Sequence, residues 1–387
     1  MTASETITVG RAITPRYELE GAVVVIEDGR IDAVESDSEN DRKVTLSYPD
    51  GIAVPGFVDT HVHGYGGHSI AGEVADYVGL AEGVVETGVT TVFPTTVSEP
   101  YETLLAAGEA AAEAIERDHD GADIAGLHLE GPHLNTQQRG AQDPAVLRDP
   151  AVEDLRAIAA VAEGTLARVT LAPELPGAEE FIHEARDMGL VVSAGHTAAD
   201  YATANRRFDA GVSIATHLYN GMRSFHHREP GVLGASLLRD DVTVELIADL
   251  IHLHPGAIEL ALAAKGPERC MLVTDAFAAT GLPDGEYTLG DLEVVVEDGV
   301  SRLQKDGSLA SSTLTMDEGV RNVARVADVG RSTAVRMATE IPARAMGLED
   351  RGRLAPGLRG DVTILDADLD VQATLVGGEL VYERDDA

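Results

Sequence analysis

Short apolar runs alternate with longer amphipathic stretches along most of the chain, from about residue 53 to residue 347. Eight of these runs have the length and composition of buried strands: AVPGFVDTH, VTTVFPTT, IAGLHLEG, ARVTLAPE, LVVSAGH, VSIATHL, VTVELIAD and CMLVTDA. Alanine-rich helical stretches such as YETLLAAGEAAAEAIERD separate most of them. Eight strands with helical crossovers predict an α/β fold, a (β/α)8 barrel of the TIM type, whose usual size is about 250 residues.

The two ends of the chain have a different pattern. Near the N-terminus, GAVVVIEDGRIDAV places an Asp-Gly turn signal between two β-rich runs, and GDVTILDAD and ATLVGGELVYE repeat this character near the C-terminus. We therefore expect residues 1–52 and 348–387 to pair into one small β-sandwich domain beside a barrel formed by residues 53–347. Residues 283–312 interrupt the barrel pattern with β-like sequence, which predicts an insertion in a βα loop.

The charge of the chain narrows the classes of partner. Among its 387 residues, acids outnumber bases 66 to 29, which gives a formal charge of −37. So negative a chain is a poor partner for nucleic acid or an anionic membrane. Its only lysines are Lys43, Lys265 and Lys305, and all other basic residues are arginine. This composition is typical of proteins from salt-accumulating halophiles, in which concentrated cations screen self-repulsion; the alternative is an ordinary acidic cytosolic protein.

Cysteine content and hydropathy bear on location. Cys270 is the lone cysteine, so an intrachain disulfide and a cysteine-rich zinc site are excluded. No apolar run reaches the roughly 18 residues of a membrane span, and MTASETITVG lacks the features of a secretion signal. We expect a cytoplasmic protein.

The polar residues that end the apolar runs carry the functional signal. His61 and His63 end the first run, Glu130 the third, His196 the fifth, His217 the sixth and Asp275 the eighth. The carboxyl ends of barrel strands form one face, so these six side chains are expected to converge there. Imidazole and carboxylate groups are ligands for divalent metals such as Zn, Fe, Mn or Co. The pattern thus predicts a metal centre of one or two ions.

Each of these residues also has a purely structural interpretation. An isolated histidine after a strand can hydrogen-bond to the backbone, and Asp275 can cap a helix because Asp is a favoured N-cap residue. His128, which shares a strand face with Glu130, is better explained as a core histidine or as support for a ligand. Glu130 is harder to explain structurally, because a buried carboxylate is costly unless it is paired or bound to a metal. Taken together, the set favours metal binding, with Asp275 as the general base.

Seven motifs occur in an order that resembles a known family. They are PGFVDTHVHGYGG, GLHLEGPHLN, SAGHT, THLYNGM, REPGVLGA, IADLIHLHP and LVTDA. In this order they resemble the N-acetylglucosamine-6-phosphate deacetylases of the amidohydrolase superfamily, and the similarity covers nearly the whole chain. Related hydrolases of cyclic amides more often use a carboxylated lysine as a bridging ligand, and no lysine ends a strand here.

The resemblance implies roles for the metal-binding set and the base. Glu130, His196 and His217 would hold the main ion, and His61 and His63 would offer a second site, with Glu130 as the bridge. Asp275 would take a proton from the attacking water and give it to the leaving amine. The implied substrate is a small phosphorylated amino sugar, deacetylated to the free amine and acetate.

The resemblance also implies the substrate contacts. Arg228 would hold the 6-phosphate, in some family members across a dimer interface, so a homodimer is expected. His252 would position the substrate near the reacting carbonyl or the phosphate. The remaining contacts would come from three loops: Ala141 and Gln142, Asn220 and Gly221, and Leu309, Ala310 and Ser311.

Three positions depart from the family pattern. Leu250 stands where a glycine is usual, Ser311 also replaces a glycine, and Gln142 occupies a position often held by histidine. All three affect substrate contacts and leave the metal-binding set intact, so the chemistry is predicted more firmly than the sugar.

The alternatives are a deacetylase of another N-acetyl amino sugar phosphate or an N-acyl amino acid, a cyclic-amide hydrolase or deaminase on the same barrel, and a catalytically silent scaffold protein. The last would lack ligands or the base, and here all are present.

Overall fold

The computed structural model describes residues 4–39 and 41–385. Strands occur throughout this part of the chain: β1 (Glu5–Ile13), β2 (Glu18–Glu27), β3 (Arg30–Ser36), β4 (Leu46–Pro55), β5 (Phe57–Val62), β6 (Gly64–Tyr65), β7 (His68–Ser69), β8 (Val89–Thr96), β9 (Asp123–Ile124), β10 (Leu127–Glu130), β11 (Leu166–Leu171), β12 (Val191–Ala194), β13 (Ile214–Ala215), β14 (Thr243–Leu246), β15 (Cys270–Leu272), β16 (Gly285–Leu289), β17 (Leu292–Glu297), β18 (Val300–Leu303), β19 (Val362–Leu365), β20 (Val371–Val376) and β21 (Glu379–Glu383).

The helices lie between residues 74 and 345. They are α1 (Val74–Val84), α2 (Tyr101–Glu116), α3 (Val152–Val161), α4 (Ala178–Asp187), α5 (Tyr201–Ala210), α6 (Gly231–Leu238), α7 (Pro255–Lys265), α8 (Met316–Val326), α9 (Arg331–Met337) and α10 (Glu340–Ala345). Within the described residues, none of the helices has the length and apolar character needed to cross a bilayer.

The predicted barrel is confirmed. Eight parallel strands follow one another in the order β5, β8, β10, β11, β12, β13, β14 and β15, with the short β9 beside β8. The strands are almost wholly buried because helices cover their outer face, and apolar side chains of strands and helices form one continuous core. Hydrogen bonds next to the strand ends bring the first and last strands together: Asp275 N–H donates to His61 O at 2.9 Å, and Thr274 Oγ1 donates to Asp59 Oδ2 at 2.5 Å.

The chain termini form a second sheet. Its seven strands lie in the order β21, β20, β19, β4, β1, β2 and β3, so both ends of the chain contribute to one continuous sheet. Only β1 and β4 pair in parallel, and the other neighbours are antiparallel. An apolar cluster that includes Ile7, Val24 and Ile364 forms its core. Strand β4 ends at Pro55 and leads directly into the first barrel strand.

A third sheet lies within the stretch where the sequence predicts an insertion. Strands β16, β17 and β18 form an antiparallel meander between the last barrel strand and α8. Its apolar face packs on loops at the carboxyl ends of the barrel strands, in a small core with Val97, Phe277 and Leu289. The insertion is thereby placed beside the face on which the functional side chains meet.

Candidate metal centre and active site

The backbone turns sharply where the barrel strands end. His196, His217 and Asp275 all have positive φ angles, of 47°, 29° and 51°. Residues other than glycine adopt this region rarely and usually where the surrounding structure enforces it. Here the three side chains are buried together at the mouth of the barrel, with at most 8% of each residue exposed.

The predicted ligands form two adjacent groups of possible donor atoms. One group is Glu130, His196 and His217, and the other is His61, His63 and Asp275, each with its donor atoms within 4.8 Å of one another. Glu130 lies between them: its Oε1 is 3.1 Å from His217 Nε2 and 3.4 Å from His61 Nε2, and its Oε2 is 3.6 Å from His63 Nε2. All six residues named from the sequence are therefore brought together.

The four histidines are held with the same ring nitrogen facing the centre. Nδ1 of His63, His196 and His217 lies at 3.0, 2.9 and 3.1 Å from the backbone oxygens of Thr95, Gln138 and Asn220. A carbonyl oxygen only accepts, so each Nδ1 carries the hydrogen and each Nε2 keeps its lone pair. His61 Nδ1 is 3.2 Å from Oε2 of Glu245, a carboxylate oxygen that also only accepts. The His61 Nδ1 therefore carries the hydrogen as well, and its Nε2 keeps the lone pair.

This arrangement fits a divalent metal ion. His196 Nε2 and His217 Nε2 are 3.1 Å apart, and His61 Nε2 and His63 Nε2 are 3.2 Å apart. Two nitrogen lone pairs facing each other cannot form a hydrogen bond, so a cation between them is what the pairing favours. Metal–nitrogen bonds of about 2.0–2.1 Å in a tetrahedral site separate neighbouring donors by about 3.3 Å, close to the spacing here. The mixed nitrogen and oxygen donors suit Zn, Fe, Mn or Co.

The carboxylates of the centre are charged because their neighbours favour the ionised form. Burial alone would raise the pKa of Glu130, but His61, and then His196 and His217, hold its pKa well below the usual range when a proton on these rings takes the place of a metal ion. Burial would likewise raise the pKa of Asp275, whose pKa is lowered instead by His63 and His61 when these rings carry positive charge. Two ionised carboxylates are thus available, one as a ligand and one as a ligand or a proton acceptor.

Gln142 is held between the metal-binding set and a neighbouring loop. Its Oε1 accepts a hydrogen bond from Ser98 N–H at 2.7 Å, and its Nε2 donates to Glu130 Oε2 at 2.9 Å. Because Ser98 fixes which end of the amide is the acceptor, the donor end must face Glu130. Gln142, at a position often held by histidine in the family, therefore helps to orient the Glu130 carboxylate and also affects the cavity wall.

One cavity opens onto the two groups, and most of the residues expected to contact substrate line it. They are Ala141, Gln142, Asn220, Gly221, His252, Leu309 and Ser311. Ala310 lies behind this wall, fully buried in the apolar core of the insertion. Arg228 is exposed on the loop before α6, where it contacts the ring of His227 at 2.9 Å, and it does not line the cavity of its own chain.

His252 is oriented by an acidic neighbour. Its Nδ1 lies 2.6 Å from Asp249 Oδ2, while Asp249 Oδ1 accepts the backbone N–H groups of Ile251 and His252. Burial would lower the pKa of His252, but the hydrogen bond to Asp249 outweighs it and raises the pKa. Leu250, the departure from glycine in this loop, has a φ of 63°, so the turn keeps a glycine-like backbone without the glycine.

Sequence reasoning missed three charged residues beneath the site. Glu245 and Arg168 form a fully buried ion pair inside the barrel, and Asp59 joins β5 to the end of β15. Burial would raise the pKa of Glu245, but Arg168 lowers it to about 2. The signal that could have found all three is a charge inside an otherwise apolar strand, as in VTVELIAD, ARVTL and GFVDT.

His128 is buried and neutral, since burial lowers its pKa, and its ring nitrogens contact Thr95 and Thr170.

A parallel barrel that gathers four histidines and two carboxylates at its strand ends defines a metal-dependent hydrolase. The amidohydrolase family profile matches residues 52–381. The chain is 38% identical to an N-acetylgalactosamine-6-phosphate deacetylase of Escherichia coli O157:H7, over 96% of this chain and 97% of that protein. It is 36% identical to an N-acetylglucosamine-6-phosphate deacetylase of Vibrio furnissii, over 95% and 92%.

Solved structures agree with these relatives. A variant N-acetyl-D-glucosamine-6-phosphate deacetylase of Mycobacterium smegmatis, in complex with N-acetyl-D-glucosamine-6-phosphate, superimposes with a TM-score of 0.92 at 36% identity over 98% of this chain and 99% of that one. The chain belongs to the amidohydrolase family and, within it, to the N-acetylglucosamine-6-phosphate deacetylase group whose motifs it carries. The resemblance inferred from sequence is confirmed.

Proposed function

We propose that the protein hydrolyses the acetamide bond of N-acetylglucosamine 6-phosphate to give glucosamine 6-phosphate and acetate. The observation that carries this proposal is the pair of adjacent donor groups, one with Glu130 and one with Asp275, that face a single cavity in a chain of the deacetylase family. One or two divalent ions (Zn, Fe, Mn or Co) would be held by Glu130, His196 and His217 and by His61 and His63.

The proton chemistry is assigned to Asp275. A divalent ion held by Glu130, His196 and His217 would supply Lewis acidity, which can polarise a carbonyl group and lower the pKa of a water molecule to about 7. Asp275 accepts the proton of the attacking water as the new C–O bond forms. It then donates that proton to the sugar nitrogen as the C–N bond breaks, so that the amine and acetate leave. One side chain thereby serves as base and then as acid.

Substrate placement is assigned to the cavity wall. His252 is held at Nδ1 by Asp249 and lines the cavity, and its Nε2 would contact a phosphate or carbonyl oxygen of the substrate. Asn220, Gly221, Ala141, Gln142, Leu309, Ala310 and Ser311 belong to the loops that would enclose the sugar. The apolar members limit the space around the acyl group, and the polar members offer hydrogen bonds to hydroxyl groups.

The phosphate contact is assigned to Arg228 of a second copy of the chain. Arg228 lies outside the cavity of its own chain, and a guanidinium group suits bidentate contact with a phosphate. The proposal therefore includes a homodimer. It also places the enzyme in the cytoplasm of a halophile, because a charged sugar phosphate is retained in the compartment that makes it and because the chain carries a charge of −37.

A second candidate differs only in the sugar. The relative at 38% identity acts, by its name, on N-acetylgalactosamine 6-phosphate, which is the C4 epimer. Ser311 and Gln142 line the cavity, and Leu250 lies two residues before His252, which also lines it. Epimer choice would therefore involve residues at which this chain departs from the family pattern.

Acetate release in molar KCl tests the function. The substrates are the 6-phosphates of N-acetylglucosamine and N-acetylgalactosamine and unphosphorylated N-acetylglucosamine, each before and after chelation. Rapid, chelator-sensitive release from N-acetylglucosamine 6-phosphate supports the proposal. Faster release from the galactosamine epimer would favour the second candidate, and release from neither phosphate with metal bound would refute both.

A further inference from the structure

A buried ion pair inside the barrel has no part in the chemistry described above. Arg168 and Glu245 have 0% exposure, and Arg168 Nη1 contacts Glu245 Oε1. Burying two charges is costly, and an apolar pair of similar size is often at least as stable. Stability of the barrel therefore does not by itself explain why a carboxylate is present at this position.

The second oxygen of Glu245 is directed at the metal-binding set. Oε2 accepts the backbone N–H of His217 at 2.9 Å and lies 3.2 Å from Nδ1 of His61. Glu245 thus touches one residue of each donor group. Arg168 contacts only the other oxygen, and its remaining contacts are Ser193, Thr60 and Thr216.

His61 differs from the other three histidines in what fixes its tautomer. His63, His196 and His217 each donate from Nδ1 to a backbone oxygen, which no side-chain substitution removes. His61 Nδ1 has the Glu245 side chain as its partner. The availability of the His61 Nε2 lone pair consequently depends on a carboxylate at position 245.

We propose that Glu245, anchored by Arg168, is a positioning residue that holds His61 in the Nδ1–H tautomer and so makes the group of His61, His63 and Asp275 able to bind a metal ion. This inference rests on the proposed function, which supplies the metal. It predicts that the two donor groups differ in their dependence on Glu245, because His217 keeps its contact with Asn220 O whatever stands at position 245.

The glutamine substitution tests this with little change of shape. Arg168 needs a hydrogen-bond acceptor, so in Glu245→Gln it should bind the amide oxygen of the new side chain. The amide N–H group then faces His61 Nδ1 and the backbone N–H of His217. His61 must then accept at Nδ1 and carry its hydrogen on Nε2, where it blocks coordination. Ser193→Ala is the matched control, since Ser193 Oγ accepts from Arg168 Nε at 2.7 Å without touching Glu245.

Elemental analysis of the purified, metal-loaded proteins is the first measurement. We expect about two ions per chain in the wild type and in Ser193→Ala, and about one in Glu245→Gln. Two ions in Glu245→Gln would overturn the inference. Loss of both ions would also overturn it, because it would make Glu245 a general support of the barrel. If the wild type binds only one ion, the second metal site does not exist and the inference is wrong.

Histidine ¹⁵N spectra of the zinc-loaded wild-type protein keep the inference testable if Glu245→Gln fails to fold. His61→Asn assigns the resonance of His61. The expected state has hydrogen on Nδ1 and Nε2 bound to the ion, whereas hydrogen on Nε2 in the zinc-loaded wild type overturns the inference. These readouts do not use activity, so a wild type that binds two ions without releasing acetate would refute the proposed function alone.

Discussion

Substitution of Asp275 should reduce catalysis while leaving the fold unchanged. Its carboxylate lies 3.1 Å from His63 Nε2 and 3.5 Å from His61 Nε2. We expect Asp275→Asn to keep the fold and the ion held by Glu130, His196 and His217. Turnover should fall by about 10²–10⁴-fold, the usual contribution of one acid–base group. Steady-state kinetics with elemental analysis checks this, and near-normal kcat would remove Asp275 from the mechanism.

His217 belongs to the group that we expect to bind the main ion. Truncation in His217→Ala removes the Nε2 that lies 3.1 Å from both Glu130 Oε1 and His196 Nε2. We expect loss of that ion and of acetate release, whereas His61→Ala should cost less if one ion suffices. His183→Ala, an exposed histidine on α4, is the control and should retain metal and activity. An equal loss in His61→Ala would indicate an obligate pair of ions.

His133 makes stability depend on pH. Burial lowers the pKa of this histidine to about 4, and the ring nitrogens have no hydrogen-bond partner among residues 4–39 and 41–385. The unfolded chain, with a histidine pKa near 6.5, then binds a proton that the folded chain does not. The free energy of unfolding should fall as pH drops from about 6.5 toward about 4, by at most about 3 kcal/mol. Urea unfolding of wild type and His133→Leu at several pH values measures the difference, and identical slopes would contradict it.

At the scale of elements, the contact between the first and last barrel strands controls the spacing of one donor group. His61 lies in β5 and His63 directly follows it, whereas Asp275 follows β15, and no regular ladder joins these two strands. Asp59 accepts hydrogen bonds from Thr274 Oγ1 and from the backbone N–H of His61. A single buried carboxylate therefore helps to set the distance between the histidines and Asp275.

Removing this carboxylate should affect both stability and catalysis. Asp59→Ala leaves buried donors of His61 and Thr274 without their acceptor, at about 1–3 kcal/mol for each group. The expected result is a clear loss of stability in urea together with reduced kcat. Asp200→Ala is the control: it removes the N-cap of α5, where Asp200 accepts from Thr203 N–H at 2.7 Å, and should cost about 1 kcal/mol with unchanged kcat. Unchanged kcat in Asp59→Ala would show that the strand contact does not position the site.

At the scale of the whole molecule, the charge of −37 is the dominant property. Uncompensated carboxylates repel one another in the compact state, and salt shortens the screening length from about 10 Å at 0.1 M to about 3 Å at 1 M. Lysine, with its strongly hydrated ammonium group, is nearly absent, so most of the ion pairs on the surface use arginine, as in the contact of Arg239 with Asp241.

The charge predicts a strong salt dependence of stability. We expect the midpoint of thermal unfolding to rise steadily as KCl increases from about 0.1 M to above 1 M. Sucrose at matched osmolality is the control, because it acts without screening charge. Full stability at about 0.1 M salt would contradict the halophilic interpretation.

Much of the site was predictable because it follows strand periodicity. The ends of apolar runs named all six members of the two donor groups, since parallel strands in a barrel deliver their carboxyl ends to one face. The substrate contacts were harder to predict, because loops of different length converge by packing. Ala310 lies behind the cavity wall, and Arg228 lies outside the cavity of its chain.

The sequence by itself determined the fold class, the donor set and the family, because alternation of apolar strands with helices and the residues ending those strands are local properties of the chain. Only the tertiary structure decided which nitrogen of each histidine faces the centre, since His196 and Gln138 are 58 residues apart and His61 and Glu245 are 184 apart. It also decided that Gln142 contacts Glu130 and that Arg168 pairs with Glu245. Such contacts depend on barrel closure and burial, which bring distant side chains within hydrogen-bond distance and exclude the water that would otherwise compete.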